Sequence, residues 1–181
     1  MISVITPSLP SRSTYLAECI ASVTAQTVKP REHLVAVDHQ RLGPSAMRNA
    51  LLAGVAGEWV AVLDDDDLLL PNHLEVLSGA EGDVIYTYCE VSGKDWNPNR
   101  DFDADELRQR SYIPATALIR TSLLRELKGW REPSECPSGF EDWDLYLRAL
   151  DAQAKFTCIP EVTWRYRFHG GNRTDRGVNA T

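Results

Sequence analysis

The sequence predicts an α/β protein: a single domain with a mostly parallel central sheet flanked by helices. Three observations carry that prediction. Short apolar, β-rich runs alternate with segments of helical period through the first third of the chain, the pattern of a βαβαβ unit. The run "EWVAVLD" is continuously apolar in its middle, as a strand covered on both faces must be. The chain has 181 residues, 43% of them hydrophobic, which suits one domain with a real core.

The elements follow in order. "ISVITPS" (Ile2–Ser8) is β-rich and ends in turn residues, so it reads as a first strand. From Ser13 to Gln26, Leu16, Ile20 and Val23 recur at helical spacing, with Ser13 or Thr14 placed to cap. "HLVAVD" (His33–Asp38) is a second strand ending in an acid. "GPSAMRNALLAGV" has Pro44 near its start and Gly54 near its end, the asymmetry of a helix. "EWVAVLD" closes the unit as its third, central strand, and right-handed crossovers are expected.

The second half is less regular. Pro71 to Ser78 predicts a short helix and "DVIYTYCEV" a strand. Lys94–Arg110 is polar and reads as a loop with room for a helical turn. "ATALIR" predicts a strand, "TSLLRELKGW" a capped helix. "EDWDLYLRAL" predicts a helix with Trp143, Tyr146, Leu147 and Leu150 on one side. "AKFTCIP" and "VTWRYRF" read as two late strands, and the tail over residues 170–181 as loose.

Composition excludes some classes of function. A net charge of -7 argues against a nucleic-acid backbone binder, which would present a basic face. An acidic chain can still take a phosphorylated small molecule if a metal ion intervenes. The four cysteines lack C-x-x-C spacing and sit in mostly apolar contexts, so buried free thiols in a reducing compartment are expected. "MISVITPS" has no basic or long apolar leader, and no stretch approaches the length of a membrane span. The expectation is a cytoplasmic protein.

The most informative stretch is "EWVAVLDDDDLLLPNH", where four aspartates follow a buried strand. Adjacent carboxylates repel by roughly 1–4 kcal/mol per close pair at intermediate dielectric. Most charge runs are solvated turns. Here the run falls at the carboxyl end of a central strand, where open α/β sheets bind ligands. A calcium loop fits badly. Counting from Asp64, the fifth and sixth positions are Leu68 and Leu69, where an oxygen ligand and a glycine are needed. A divalent metal held by one or two carboxylates, its shell completed by a substrate diphosphate, accounts for a short acidic cluster.

The ordered set "VITPSLPSR", "TAQTVKPREHLVAVD", "GPSAMRNALLAGVAGEWVAVLDDDDLLLPNHLE", "GFEDWDLYLRAL" and "WRYRFHGGN" resembles family 2 glycosyltransferases. That is the inverting GT-A group of nucleotide-sugar enzymes, whose fold is a Rossmann-like sandwich. The likeness covers nearly the whole chain except Lys94–Arg110. It implies a nucleotide-binding half (residues 1–93) and an acceptor and catalytic half (94–169). It implies a donor that is a nucleoside diphosphate sugar, UDP- or GDP-linked, a carbohydrate or other hydroxyl acceptor, and Mn²⁺ or Mg²⁺.

Residue by residue, the resemblance places Thr6, Pro7 and Ser8 beside base and ribose. Asp38 matches an acid facing the base, and Arg48 a basic residue near the nucleotide. Asp64 faces the ribose or the metal shell, and Asp66 is the direct metal ligand. Asp65 and Asp67 are less determined: Asp65 belongs with the nucleotide contacts, and either one is a candidate cap for the helix after Pro71. His39 stands where the family has a second acid, and the following Gly-Ser is missing, so the base stays open. Glu141 and Asp142 match the catalytic acid pair, with Asp142 the base and Glu141 its neighbour; charge complementarity at a helix start is the competing reading. His169 matches a late histidine that reaches metal or diphosphate, against a purely structural role. Arg165 or Arg167 is a phosphate candidate, and strand alternation puts both on one face, so either both face the site or neither does. Trp143 is the acceptor-side aromatic, with Trp130 and Trp164 as further sugar platforms, against a role in the core.

Other classes stay in view. A nucleotidyltransferase would want a Gly-rich basic loop after the first strand, where "PSLPSRST" has one Arg and no Gly. A glycosidase needs two carboxylates and no metal cluster. A non-catalytic nucleotide-sugar-binding protein would bind without transfer.

Overall fold

The computed structural model describes residues 1–136 and 139–169; the expected loose tail from Gly170 lies outside the described residues. The elements are β1 (Ile2–Ser8), a 3-10 turn (Pro10–Arg12), α1 (Ser13–Thr24), β2 (Glu32–Val37), α2 (Pro44–Gly54), β3 (Trp59–Val62) and β4 (Leu68–Leu69). They continue with α3 (His73–Ser78), β5 (Val84–Ser92), α4 (Ala104–Gln109), β6 (Ala117–Arg120), α5 (Thr121–Glu126), α6 (Glu141–Asp151) and β7 (Phe156–Arg167).

The strands form one seven-stranded sheet in the order β2-β1-β3-β6-β5-β7-β4. β1 pairs in parallel with β2 and β3, and β5 with β7. β6 runs antiparallel to β3 and β5, and β4 antiparallel to β7. Five strands therefore point one way, with β6 and β4 reversed, so the sheet is mixed but mostly parallel.

Strand alternation divides the core between the two faces of the sheet. Ile5, Val60 and Val62 pack with Leu51 and Leu52 of α2, Leu124 of α5, and Leu145 and Tyr146 of α6. Val4, Ala61 and Leu63 pack on the other face with Cys19 and Val23 of α1, Leu74 and Leu77 of α3, and Trp164. None of the four cysteines is in a disulfide; three are buried and Cys158 is half-buried. Among the described residues no helix is long and apolar enough to cross a membrane.

Three elements differ from expectation. The two late strands are one, β7, whose partner register steps from Thr87↔Ile159 to Tyr88↔Val162. Pro160 and Glu161 fall in that step, where a residue without an N–H can be skipped. The polar loop contains a six-residue helix, α4, capped by Asp103, whose carboxylate accepts the Glu106 N–H at 2.8 Å. β4 is only two residues long, too short to read from the sequence, and exists because β7 offers it an edge.

Candidate functional site

β1, β2 and β3 are parallel and present their carboxyl ends together: Ser8, Val37 and, beyond Val62, the aspartate run. Loop segments leaving one sheet edge are thereby gathered into one place.

Arg48 organises the site. It lies on α2, is 1% exposed, and its side chain meets three carboxylates. Nη2 donates to Asp64 at 2.8 Å, and Nη1 donates to Asp142 at 2.8 Å and Glu141 at 3.1 Å. One guanidinium thus joins the aspartate run to the acid pair at the start of α6. Burial alone would lower its pKa, but the charges of Asp142, Asp64 and Glu141 outweigh this and raise it. Glu141 is 0% exposed, and Asp142 keeps partial access to solvent.

A second group steadies Asp142. Trp130 Nε1 donates to the same Asp142 oxygen at 3.1 Å, and the Arg48 guanidinium lies 6.0 Å from the Trp130 ring centre. Trp130 is held by Asn49, whose side chain accepts the Trp130 N–H at 3.0 Å and donates to its carbonyl at 2.7 Å. Gly129 precedes it at φ +69, with the Asn49 side chain where a Cβ would stand.

The aspartate run is divided among several partners. Ser8 Oγ donates to Asp65 at 2.6 Å. Arg12 Nη1 lies 2.8 Å from both Asp65 and Asp66. His169 Nε2 lies 3.0 Å from Asp66 Oδ2. The Arg167 N–H donates to Asp67 at 2.9 Å. Burial, then the Asp64 charge, raises the Asp66 pKa against the opposing pull of Arg12 and His169. Asp67 is raised further, by burial and by the charges of Asp66 and Asp64. His169 is itself positioned by stacking on Tyr15, ring centres 5.4 Å apart, while the Arg167 guanidinium sits 4.7 Å from the same ring.

Which residues can hold a divalent cation is limited by this geometry. Asp66 Oδ2 and His169 Nε2 converge, an oxygen and an imidazole nitrogen such as Mn²⁺ accepts. No set of three His, Cys, Asp or Glu is arranged around a metal position among the described residues. Two converging donors suit an ion whose remaining positions would be filled by phosphate oxygens and water.

The other expected residues are distributed unevenly. Ser8 joins the cluster. Pro7 is half-buried, while Thr6 is fully buried with its hydroxyl 2.9 Å from His33 Nε2, beneath the site. Asp38 directly follows β2, but its carboxylate accepts the N–H groups of Gln40, Leu42 and Gly43 at 3.1, 3.0 and 2.8 Å. Those bonds, from Gly43 and Leu42 first, lower its pKa and order the loop into α2. Asp65 and Asp67 do not cap α3, whose start has no side-chain cap. Trp143 is half-buried and packs against the core, its indole N–H donating to the Leu107 carbonyl of α4 at 2.7 Å. Trp164 is buried. Arg165 pairs with Glu90 and Arg167 with Glu18.

Sequence reasoning missed the roles of Arg12, Tyr15 and Trp130. Arg12 is the single arginine of "PSLPSRST", and that isolation was its only signal. Tyr15 carried none; Trp130, expected as a sugar platform, is 3% exposed and donates to Asp142 instead.

Comparison with known proteins identifies the family and the fold. A sequence profile describing glycosyl transferase family 2 matches residues 33–127, more than half of the chain. The succinoglycan biosynthesis protein ExoO of Rhizobium meliloti (strain 1021) is 30% identical over 112 residues, 60% of this chain and 32% of that protein. An uncharacterized glycosyltransferase of Methanocaldococcus jannaschii is 20% identical over 92% of this chain and 70% of its own length. Among solved structures, S. aureus TarS 1-349 in complex with UDP-GlcNAc superimposes with a TM-score of 0.74 at 19% identity, covering 96% of this chain and 60% of that one. The mannosyltransferase PcManGT from Pyrobaculum calidifontis, in complex with GDP-Man and Mn²⁺, gives 0.69 at 16% identity, covering 94% and 58%. This chain thus spans about a third of ExoO and about three fifths of each solved structure. The structural likenesses speak to the fold, which is the expected GT-A sandwich. By the profile match, the chain belongs to glycosyl transferase family 2.

Proposed function

We propose that this chain is an inverting glycosyltransferase domain that moves a sugar from a nucleoside diphosphate sugar to an acceptor hydroxyl. The observation that carries the reading is the Arg48 bridge. It brings the donor-side acid, Asp64, and the acceptor-side acid, Asp142, onto one buried guanidinium at the carboxyl edge of the sheet. Residues 1–93 hold the nucleotide in this reading, and residues 94–169 supply the acceptor side. The complexes of TarS with UDP-GlcNAc and of PcManGT with GDP-Man support a UDP- or GDP-linked donor.

The chemistry asks three things of the chain. The donor must be held by its nucleotide, for which Ser8, Pro7 and the loop ordered by Asp38 line the strand ends. A base must stand ready, and Asp142 is held rigidly for that task by Arg48 and Trp130. Asp142 takes the acceptor proton as the oxygen attacks the anomeric carbon. The bond to the diphosphate breaks with its electron pair leaving on phosphate oxygen, and this single displacement inverts the anomeric centre. Glu141, buried against Arg48, keeps the guanidinium in register. Asp66 and His169, with Asp64 nearby, would hold a Mn²⁺ or Mg²⁺ ion. Such an ion, of the kind present in the PcManGT complex, would supply positive charge to a departing diphosphate.

Two measurements test the proposal. Thermal shift with UDP or GDP should show stabilisation that depends on Mn²⁺, since a ligand preferring the native form raises its stability. Asp142→Asn should keep that nucleotide binding and lose sugar-nucleotide turnover. Normal turnover in Asp142→Asn would refute the base assignment. Absence of any nucleotide binding would refute the donor reading.

A further inference from the structure

Arg12 sits where a metal ion would have to compete. Its Nη1 lies 2.8 Å from Asp65 Oδ1 and 2.8 Å from Asp66 Oδ2. That Asp66 oxygen is the same one that faces His169 Nε2 at 3.0 Å. The other Asp65 oxygen is anchored to the end of β1, by Ser8 Oγ at 2.6 Å and more loosely by the Leu9 N–H at 3.4 Å. Asp65 is therefore a fixed tether for Arg12, and Asp66 is its second, exchangeable partner. Among the described residues Nη2 and Nε of Arg12 donate to nothing, and the side chain is 25% exposed, so its remaining donors are open to a ligand.

We propose that Arg12 is an exchange residue. Without metal it neutralises Asp65 and Asp66. When a divalent cation arrives, Arg12 releases Asp66 to it, remains tethered to Asp65, and turns its unused N–H groups to the donor's diphosphate. A guanidinium and a doubly charged ion cannot share one carboxylate oxygen without strong repulsion. The planar fork of a guanidinium matches phosphate oxygens bidentately, which an ammonium does not. The inference rests on the donor and metal reading above.

The exchange gives effects of opposite sign, which a merely structural role would not. Calorimetry with MnCl₂ alone is the first arm. Arg12→Met removes a competitor, so Mn²⁺ should bind about fivefold tighter, the scale of one solvent-screened ion pair. Titration of UDP and GDP at saturating Mn²⁺ is the second arm. Arg12→Met removes phosphate donors, so nucleotide binding should weaken at least tenfold, the scale of a lost charge-assisted hydrogen bond. Arg12→Lys keeps the charge but not the fork. Its Mn²⁺ affinity should stay within about twofold of wild type while nucleotide binding weakens. It also guards against misfolding of the methionine variant, with circular dichroism checking both. Unchanged affinities, or changes of the same sign in both arms, overturn the exchange while leaving the donor reading intact. Wild-type protein that binds no nucleotide with Mn²⁺ overturns both.

Discussion

Replacing Arg48 by methionine should be among the most destabilising single changes at this site. Methionine fills much of the same volume but leaves three carboxylates without their shared cation. Their environments differ: the Glu141 side chain is 0% exposed, Asp142 20% and Asp64 37%. Water can take over much of the solvation of the latter two, so their pairs count for about 0–1 kcal/mol each. Glu141 is closed to water, and taking the cation from a buried carboxylate costs about 3–5 kcal/mol. The expected loss at pH 7 is then about 4 kcal/mol. For a chain of this size each kcal/mol lowers Tm by about 2–4 °C, so Tm should fall by roughly 10 °C. The assay is thermal unfolding followed by circular dichroism, with urea unfolding as the equilibrium check. Adding Glu141→Gln to Arg48→Met removes the stranded charge and should recover about half of the loss. Arg48→Met within 2 °C of wild type, or a double variant no more stable than Arg48→Met, would refute this account of the bridge.

Other outcomes follow from single contacts. His73 is buried, hydrogen-bonded to Thr163 at 2.7 Å, and burial lowers its pKa to about 3. The unfolded chain therefore binds a proton that the folded chain refuses between about pH 6.5 and 3, and stability falls as pH drops through that window. At pH 5.5 His73 should account for about 1.4 kcal/mol of loss relative to pH 7.5, and the difference in Tm between those pH values should shrink in His73→Gln. Gly129→Ala places a methyl against Asn49 at a positive φ, so it should cost about 1–3 kcal/mol and also slow turnover by disturbing Trp130; unchanged Tm would contradict this. Trp143→Phe removes the bond to Leu107 from a packed ring and should cost about 1 kcal/mol without changing acceptor KM, whereas a raised KM would restore Trp143 to the acceptor side.

Much of the fold was legible because its signals are local. The β1–α1–β2–α2–β3 unit is written in hydrophobic period and in Pro44 and Gly54. β4 was not legible, since two leucines become a strand only when β7 supplies an edge. The single β7 was also hidden, because a proline inside an apolar run reads as a break until a partner strand absorbs it as a bulge.

The site divides the same way. Residue type and position marked the aspartate run, because charge beside an apolar strand end is visible along one dimension, whereas the acid pair and the late histidine were marked by the resemblance to the family. Folding decided which charge meets which. Arg48 lies 16 residues from Asp64 but 93 from Glu141, and only the packing of α2 against α6 turns those separations into one ion cluster. Folding likewise turned Trp143 inward, brought Trp130 onto Asp142, and set Arg12 against Asp65 and Asp66. The physical reason is that a side chain's composition is carried by the chain, whereas its desolvation and its partners exist only once distant segments exclude water together.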